Sequence, residues 1–316
     1  MKKNPNRIIL TLDSHALTYS EQCLKKYYFN QVENLHLLKI EWPKLEKGKF
    51  TSVKKQGAKE LGTFIHDIIM RVNRLRLRVI KGKVPFKFLV TDSTIINLGF
   101  KHISRRKEFS QDDKIFHQTK FMEFYSMIKT THGWLTPLGY ETGFSKILYE
   151  DNDVCFIYEG RVDFIGESAN WDTPIWVDYK TQSRESPLYE NTNQFLGYSW
   201  AVGTNLGFIQ YYGLQKDRRK EEAFRLKTIF HPQHLIEQWK KETIHQFRKV
   251  AGLIPFGEKG FDRNRSHCVG DLYGPCMYVK ICDNASALPE VLNGIKQTFY
   301  KIEKWSPWGQ TETNGS

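Results

Sequence analysis

The chain has 316 residues, of which 40% are hydrophobic and 14% aromatic, and its formal net charge is +12. This length and composition allow a sizeable core and exclude a disordered chain, while the basic surplus favours a polyanionic partner such as nucleic acid. The N-terminal apolar run is too short for a signal peptide, and no stretch approaches the length of a membrane span. We therefore expect a soluble, intracellular protein of the cytoplasm with no membrane partner.

The first part of the chain has mainly helical patterns. Residues 14–30 have apolar residues near helical spacing, and Ser14 or Ser20 could cap a helix there. Residues 56–81 have a longer apolar stripe at the spacing of a helix face. In chain order, we predict a helix over 14–30, a loop over the lysine-rich 41–55, a long helix over 56–81 and further helices up to 140.

The second part has β-rich segments separated by turn residues. The order of strands and helices there predicts a mixed α/β core. The glycine-, proline- and cysteine-rich stretch 255–285 is predicted to be irregular. We predict strands over 141–149, 154–166 and 174–181, a helix over 188–202, strands over 206–215 and 223–230, and a helix from Pro232 to about Val250.

Two of these strands contain the residues with the clearest chemistry. Asp163 lies on one strand, and Asp178 and Lys180 share one face of another because side chains alternate along a strand. Two converging carboxylates repel unless a divalent cation lies between them, and a neighbouring lysine can hold water or neutralise charge in a transition state. Taken alone, the short D-x-K pattern is more often a solvated strand face than a metal site.

The neighbouring motifs resemble those of a known family. G-R-V-D-F-I contains Asp163, V-D-Y-K-T contains Asp178, and Q-F-L-G-Y follows at 194–198, after an upstream G-T-F-I-H at 62–66. Together and in this order, they resemble the RecB-like branch of the PD-(D/E)XK nuclease superfamily. The resemblance implies a restriction-endonuclease-like α/β fold, in which helices flank a mixed-sheet core, with an N-terminal helical region and a C-terminal cysteine-rich segment.

The same resemblance implies a set of metal ligands. His66, Asp163 and Asp178 would bind Mg²⁺ or Mn²⁺, and the backbone carbonyl of Tyr179 would be a further ligand. A lone histidine on an amphipathic helix also fits a packed or surface residue. The position of His66 four residues after a glycine, ahead of the β core, favours the ligand interpretation.

Other residues would act on water or substrate. By resemblance, Lys180 would position the attacking water or stabilise the transition state. Gln194 and Tyr198 lie one helical turn apart, and would face the site and contact the nucleic acid. Glu141 fits a site residue and an exposed strand-end charge equally well.

The five cysteines do not suggest a disulfide framework, because their number is odd. Cys23 together with Cys268, Cys276 and Cys282 is similar to the iron–sulfur branch of the superfamily, namely AddB-type nuclease domains and CRISPR-adaptation exonucleases, which implies a [4Fe–4S] cluster. The C-x5-C spacing of that branch is present at the end, but seven residues replace the two expected between Cys268 and Cys276. A four-cysteine Zn²⁺ site and unligated cysteines are the alternatives. Cys155 is predicted to be a core residue.

A small basic group precedes the last cysteines. Arg263, Arg265 and His267 could form a phosphate-contacting rim or a solvated turn. The net charge slightly favours the rim.

These features together predict a metal-dependent deoxyribonuclease, and the resemblance implies that it is an exonuclease acting on single-stranded DNA or DNA ends. A non-catalytic or structure-specific nucleic-acid-binding subunit of a recombination or packaging complex is the main alternative, and an endonuclease on RNA or structured DNA is a third. No Walker A motif is present, so a helicase or recombination protein is a candidate partner. We predict a single nuclease domain over 1–316, made of an N-terminal segment (1–55), a helical region (56–140), the α/β nuclease core (141–250) and a cysteine-rich closure and tail (251–316).

Overall fold

The computed structural model describes residues 7–37, 77–78, 81, 92–105, 111–132, 134–182, 190–213, 224–268 and 276–308. Contacts divide the chain into two compact units. The first unit comprises Met1–Lys47, Gly143–Gly160 and His234–Ser316, and the second comprises Gly48–Thr142 and Arg161–Gln233. The single domain over 1–316 stays a prediction. The loop predicted at 41–55 and almost all of the helix predicted at 56–81 lie outside the described residues.

The helices and strands are numbered separately in chain order. None of the helices within the described ranges is long and apolar enough to cross a membrane. The helices are α1 (Ser14–Gln22), α2 (Leu24–Tyr27), α3 (Asp92–Ser104), α4 (Gln111–His132), α5 (Asn193–Val202), α6 (Gln233–Leu253), α7 (Val279–Asp283) and α8 (Pro289–Phe299). The strands are β1 (Ile8–Leu12), β2 (Leu35–Leu37), β3 (Thr136–Glu150), β4 (Val154–Ser168), β5 (Trp171–Gln182), β6 (Leu206–Gly213), β7 (Phe224–Phe230) and β8 (Tyr300–Ile302).

The second unit contains a mixed sheet in the order β4, β5, β6 and β7. The β4–β5 pair is antiparallel, the β5–β6 pair is parallel and the β6–β7 pair is antiparallel. A parallel pair needs a crossover connection, and α5 lies between β5 and β6 in the chain and packs against β5. This mixed sheet with packed helices confirms the predicted α/β class.

Burial along the two central strands follows from their places in the sheet. On β4, Val162 and Phe164 are buried while Asp163 and Ile165 are only partly buried, which is the alternation that strand geometry requires. On β5, all residues from Ile175 to Tyr179 are buried. The strand that carries Asp178 is therefore covered on both faces.

Trp176 is the largest fully buried side chain and joins β5 to its crossover helix. Its indole stacks on Phe195, with ring centroids 5.4 Å apart and planes at 9°, and its N–H donates to Ser199 Oγ at 3.0 Å. On β6, a Cβ added at Gly207 would lie 2.0 Å from the indole, so only glycine leaves room for the ring. The packing of Trp176 thus sets the position of α5 over the sheet.

A buried histidine extends this polar contact. Ser199 Oγ lies 2.8 Å from His231 Nδ1, and His231 Nε2 lies 2.8 Å from the carbonyl oxygen of Glu190. A carbonyl can only accept, so Nε2 carries a hydrogen, and in the neutral imidazole Nδ1 accepts from the serine hydroxyl. Burial favours this neutral form and lowers the pKa of His231 below its ordinary value of 6.5.

Acidification should destabilise the protein through His231. As pH falls from about 7.5 to about 5.5, the unfolded imidazole binds a proton that the folded one resists, so the free energy of unfolding falls. We expect urea unfolding of His231→Gln to show a smaller loss over this range than wild type, because glutamine does not titrate. Equal losses in both proteins would contradict this role for His231.

The first unit brings the two ends of the chain together. Strand β1 pairs in parallel with β4 from Val154 to Tyr158, and β2 pairs antiparallel with β8. Around the second pair, Phe29 and Tyr278 belong to one buried cluster. Strands β1, β2 and β8 and helix α8 were not predicted from the sequence.

The predicted N-terminal helix is present but is divided. Asp13, rather than Ser14 or Ser20, caps α1, because its Oδ1 accepts from the N–H of Ala16 at 2.6 Å. Cys23 has extended dihedral angles (φ −164°, ψ 115°) and separates α1 from α2. Cys23 therefore lies between the two helices, and its side chain does not have to follow the surface of either one.

Candidate active site

The two aspartates occupy adjacent positions where β4 and β5 cease to pair. The ladder between these strands begins at Phe164 and Val177, immediately beside Asp163 and Asp178. Past the end of this ladder, β5 still pairs with β6 on its other edge. On the edge towards β4, the N–H of Tyr179 donates to Asp163 Oδ2 at 2.8 Å, so the Asp163 side chain accepts a backbone hydrogen bond that is not part of the β4–β5 ladder.

Asp178 is a buried carboxylate with a partly buried countercharge. Only 1% of the residue is exposed. Its Oδ2 lies 2.8 Å from Lys180 Nζ, and its Oδ1 accepts from Gln194 Nε2 at 3.3 Å. Ion pairing offsets part of the large cost of burying a charge. Within the described residues, Oδ2 has no geometrically aligned hydrogen bond, so it retains capacity for another ligand.

The side chain of Gln194 connects the lysine to the helix. Its Oε1 accepts from Lys180 Nζ at 3.2 Å, and its Nε2 donates to Tyr198 Oη at 2.8 Å. The Tyr198 hydroxyl in turn donates to the carbonyl of Arg161 at 2.7 Å. The structure therefore brings Asp178, Lys180, Gln194 and Tyr198 together in one hydrogen-bonded network, with helical spacing aligning the two α5 residues.

Glu141 and Arg161 form the edge of this network. Glu141 has a left-handed φ of 45°, which is unusual for a residue with a side chain, and its carboxylate lies 3.6 Å from the Arg161 guanidinium. The pKa of Tyr179 is raised well above 10, mainly because the residue is buried. Tyr140 and the nearby carboxylates, including Glu141, raise this pKa in the same direction by smaller amounts. Arg161 was missed from the sequence, although it lies two residues before Asp163 on the same strand face.

The side chains of this site provide some, but not all, of the ligands that a hard divalent cation needs. Carboxylate oxygens are the ligands that Mg²⁺ and Mn²⁺ prefer, and Asp178 Oδ2 is a buried acceptor with unused capacity. Within the part of the chain that the structure describes, no three His, Cys, Asp or Glu side chains converge as a complete metal site. His66, the further predicted ligand, lies outside the described residues.

Cys23, Cys268, Cys276 and Cys282 all lie in the first unit, although no three of these described side chains converge as a metal site. The pKa of the Cys282 thiol is raised to about 11, mainly by burial; nearby Arg263 acts to lower this pKa, and the proximity of the other three cysteines acts to raise it. Although seven residues separate Cys268 from Cys276, the N–H of Cys276 donates to the carbonyl of Cys268 at 3.3 Å. The unusual spacing is therefore compatible with adjacent cysteines. Cys155 is buried, as predicted.

Two cysteine sulfurs accept hydrogen bonds from the turn before Cys268. Arg263 Nε lies 3.1 Å from Cys268 Sγ, and the Asn264 N–H lies 3.4 Å from Cys23 Sγ. Arg263 also pairs with Asp283 at 2.7 Å. Arg263 was predicted as part of a phosphate rim or a solvated turn, which stays a prediction, and its guanidinium contacts Cys268 and Asp283. Such donors stabilise thiolates and orient metal ligands.

Three comparisons relate the chain to known proteins. The sequence profile of the PD-(D/E)XK nuclease superfamily matches residues 14–283. No curated protein sequence matches the chain significantly. A solved structure titled "Crystal structure of SSO0001" is 13% identical and covers 61% of this chain and 86% of its own, with a TM-score of 0.27.

Proposed function

Because the chain belongs to the PD-(D/E)XK nuclease superfamily, we propose that it is a metal-dependent deoxyribonuclease. It hydrolyses phosphodiester bonds with water and acts as an exonuclease on single-stranded DNA or DNA ends. The observation that carries the proposal is the buried Asp178 carboxylate in contact with Lys180 and Gln194. Members of the superfamily typically use Mg²⁺ or Mn²⁺.

The proposed roles follow from the positions of the side chains. Asp163 and Asp178 would hold the cation, together with His66 and the carbonyl of Tyr179. A bound divalent cation supplies activation of water and neutralisation of phosphate charge. Lys180 lies 2.8 Å from Asp178, where an ammonium can orient water and stabilise added negative charge on the scissile phosphate.

The network on α5 keeps Lys180 in place. Gln194 uses its carbonyl oxygen for Lys180 and both amide hydrogens for Asp178 and Tyr198. With all these bonds made, the amide has one favoured orientation. Gln194 and Tyr198 thus position the lysine, and Gln194, which is partly exposed, is the one of the two that is better placed to contact the nucleic acid.

The assay for this function compares end-labelled substrates. We expect Mg²⁺ or Mn²⁺ to support degradation of single-stranded DNA, and a chelator to stop it. Labels at the 5′ and 3′ ends on parallel samples, together with double-stranded DNA and RNA, define polarity and substrate. Binding without cleavage under every metal condition would instead support the alternative of a non-catalytic DNA-binding subunit.

We also propose that Cys23, Cys268, Cys276 and Cys282 hold a [4Fe–4S] cluster, which places the chain in the iron–sulfur, RecB-like branch. The proximity of the cysteines within one unit and the donors to two of their sulfurs support this proposal, and the sulfurs would have to move closer together to bind a cluster. Four thiolates are also the donor set of a structural Zn²⁺ site, which is the rival. The cluster would tie the N-terminal segment to the C-terminal turn.

Protein purified without oxygen should be brown. A thiolate-bound cluster absorbs near about 400 nm, and Cys276→Ser should remove most of this absorbance and most of the bound iron. Cys155→Ser, at a buried cysteine outside the group, is the matched control and should keep both. Colourless protein with stoichiometric zinc would identify the rival site.

The proposed partners are DNA and a motor protein. The sequence has no Walker A motif, so unwinding of duplex substrates would come from a helicase or recombination protein. Stimulation of duplex degradation by such a partner, with no change on single strands, is the expected signature.

A further inference from the structure

We propose that Arg225, on the edge strand of the sheet in the second unit, binds a backbone phosphate of the DNA strand beside the phosphate that is cleaved. This inference rests on the proposed function and adds a substrate-binding residue to it. Arg225 is exposed and lies on β7, at one end of the strand order of the sheet. The strand register relates its position to that of Lys180.

Lys180, Tyr211 and Arg225 form a row across three neighbouring strands. Lys180 on β5 pairs with Tyr211 on β6, and Tyr211 pairs with Arg225 on β7. Paired residues place their side chains on the same face of a sheet, so Arg225 shares the face of Lys180 and Asp178. The Cα atoms of Lys180 and Arg225 are two strand spacings apart, about 10 Å. Tyr211 between them is buried, so the two cations are the parts of the row that solvent reaches.

The contacts of the neighbouring residues on β7 agree with this orientation. Lys227, two residues after Arg225 and therefore on the same face, forms an ion pair with Glu190, which lies just before α5. Ile229, the next residue on that face, is buried, whereas Thr228 on the opposite face is exposed. Arg225 therefore lies on the side of the sheet that α5 and the active-site network occupy.

The charges around this row favour a phosphate once a divalent cation is bound. Three ion pairs hold Lys180 to Asp178, Lys227 to Glu190 and Arg161 to Glu141. Each of these pairs has no net charge, and Arg225 and Asp163 are the other charged residues described around the row and the two aspartates. A divalent cation at the aspartates adds two positive charges, so this face then attracts an anion. We therefore expect DNA to bind through the cation and Arg225 together.

The chemistry of arginine suits this position. A guanidinium binds phosphate through two parallel N–H bonds, and such contacts fix the path of the backbone without reading bases. The cation and Lys180 act on the scissile phosphate at one end of the row, and Arg225 binds a phosphate farther along the same strand at the other end. An arginine on an edge strand also hinders edge-to-edge pairing of sheets, but that role would not affect the binding of DNA.

The test separates binding from hydrolysis. On single-stranded oligothymidylate at saturating Mn²⁺, Arg225→Ala should raise KM about five- to tenfold and change kcat less than about twofold, because the lost contact is not made to the reacting phosphate. Fluorescence anisotropy in a Lys180→Ala background, which prevents hydrolysis, measures affinity directly. There, Arg225→Ala should lower the slope of log affinity against log salt by about 0.7, the contribution of one phosphate contact on a single strand. Arg225→Lys should recover part of the affinity, because it keeps the charge without the paired N–H groups.

The matched control is Thr228→Glu, on the opposite face of the same strand. Thr228 is exposed, and this substitution changes the net charge by the same amount as Arg225→Ala. We expect the control to keep the wild-type KM and salt slope. Equal weakening by both variants would show a general charge effect and overturn the role of Arg225. If the wild type hydrolyses DNA and Arg225→Ala keeps its KM and salt slope, the inference fails alone. A wild type that never hydrolyses DNA overturns the proposed function and the inference with it.

Discussion

Replacing Asp178 with asparagine is expected to slow DNA hydrolysis at least about a thousandfold. The substitution keeps the shape of a side chain that is only 1% exposed but removes its negative charge. Lys180 Nζ, 2.8 Å away, then loses its countercharge, and a cation loses its strongest candidate ligand. The rate is measured on end-labelled single-stranded DNA at saturating Mn²⁺.

The control for this change lies on the same strand. Asp172 is an exposed residue of β5, and Asp172→Asn should hydrolyse DNA at the wild-type rate. A second variant, Lys180→Ala, should also abolish hydrolysis while keeping the buried aspartate. Thermal unfolding must show that both site variants remain folded. Undiminished hydrolysis in Asp178→Asn and Lys180→Ala would remove the basis for the proposed site.

Local periodicity is the reason that much of this site could be predicted. A strand alternates with a period of two, so Asp178 and Lys180 share a face wherever the strand lies. A helix returns to the same face after four residues, which aligns Gln194 with Tyr198. Both patterns are properties of short segments, and the structure retains them in the contacts of these four residues.

The parts that were missed depend on partners distant in the chain. Strand β2 has three residues and is ordered by pairing with β8, over 260 positions later. Nothing in so short a segment indicates that pairing, because three residues carry little periodic signal. Arg161 escaped notice for a related reason, since the group that binds Tyr198 is its backbone carbonyl, which every residue type has.

The cysteine spacing is another feature for which the sequence alone is a poor guide to distance in the structure. Sequence comparison stresses the number of residues between Cys268 and Cys276, whereas ligation depends on the distance between their sulfurs. The hydrogen bond between their backbones makes the two residues neighbours despite the longer connection. A loop can lengthen at modest entropic cost if its ends stay fixed. Spectroscopy, rather than spacing, therefore decides whether the cysteines bind a metal.

Trp176→Ala is expected to lower the free energy of unfolding by about 3–5 kcal/mol, the usual cost of deleting a large buried aromatic side chain. The indole is fully buried, stacks on Phe195 and donates to Ser199. Its removal leaves a cavity and loosens α5, so Gln194 and Tyr198 lose their fixed place above Lys180. Urea unfolding measures the first effect, and DNA hydrolysis by the fraction that remains folded measures the second.

Trp171→Ala is the matched control, because Trp171 is on the same strand but is 50% exposed. We expect this variant to change the free energy of unfolding by less than about 1 kcal/mol and to leave hydrolysis unchanged. The comparison separates the packing of one tryptophan from the general loss of an aromatic residue on β5. If Trp176→Ala loses stability but its folded fraction hydrolyses DNA normally, α5 does not depend on the indole for its position. Equal stability losses in the two variants would contradict the central place of Trp176 in the core, because burial is what distinguishes them.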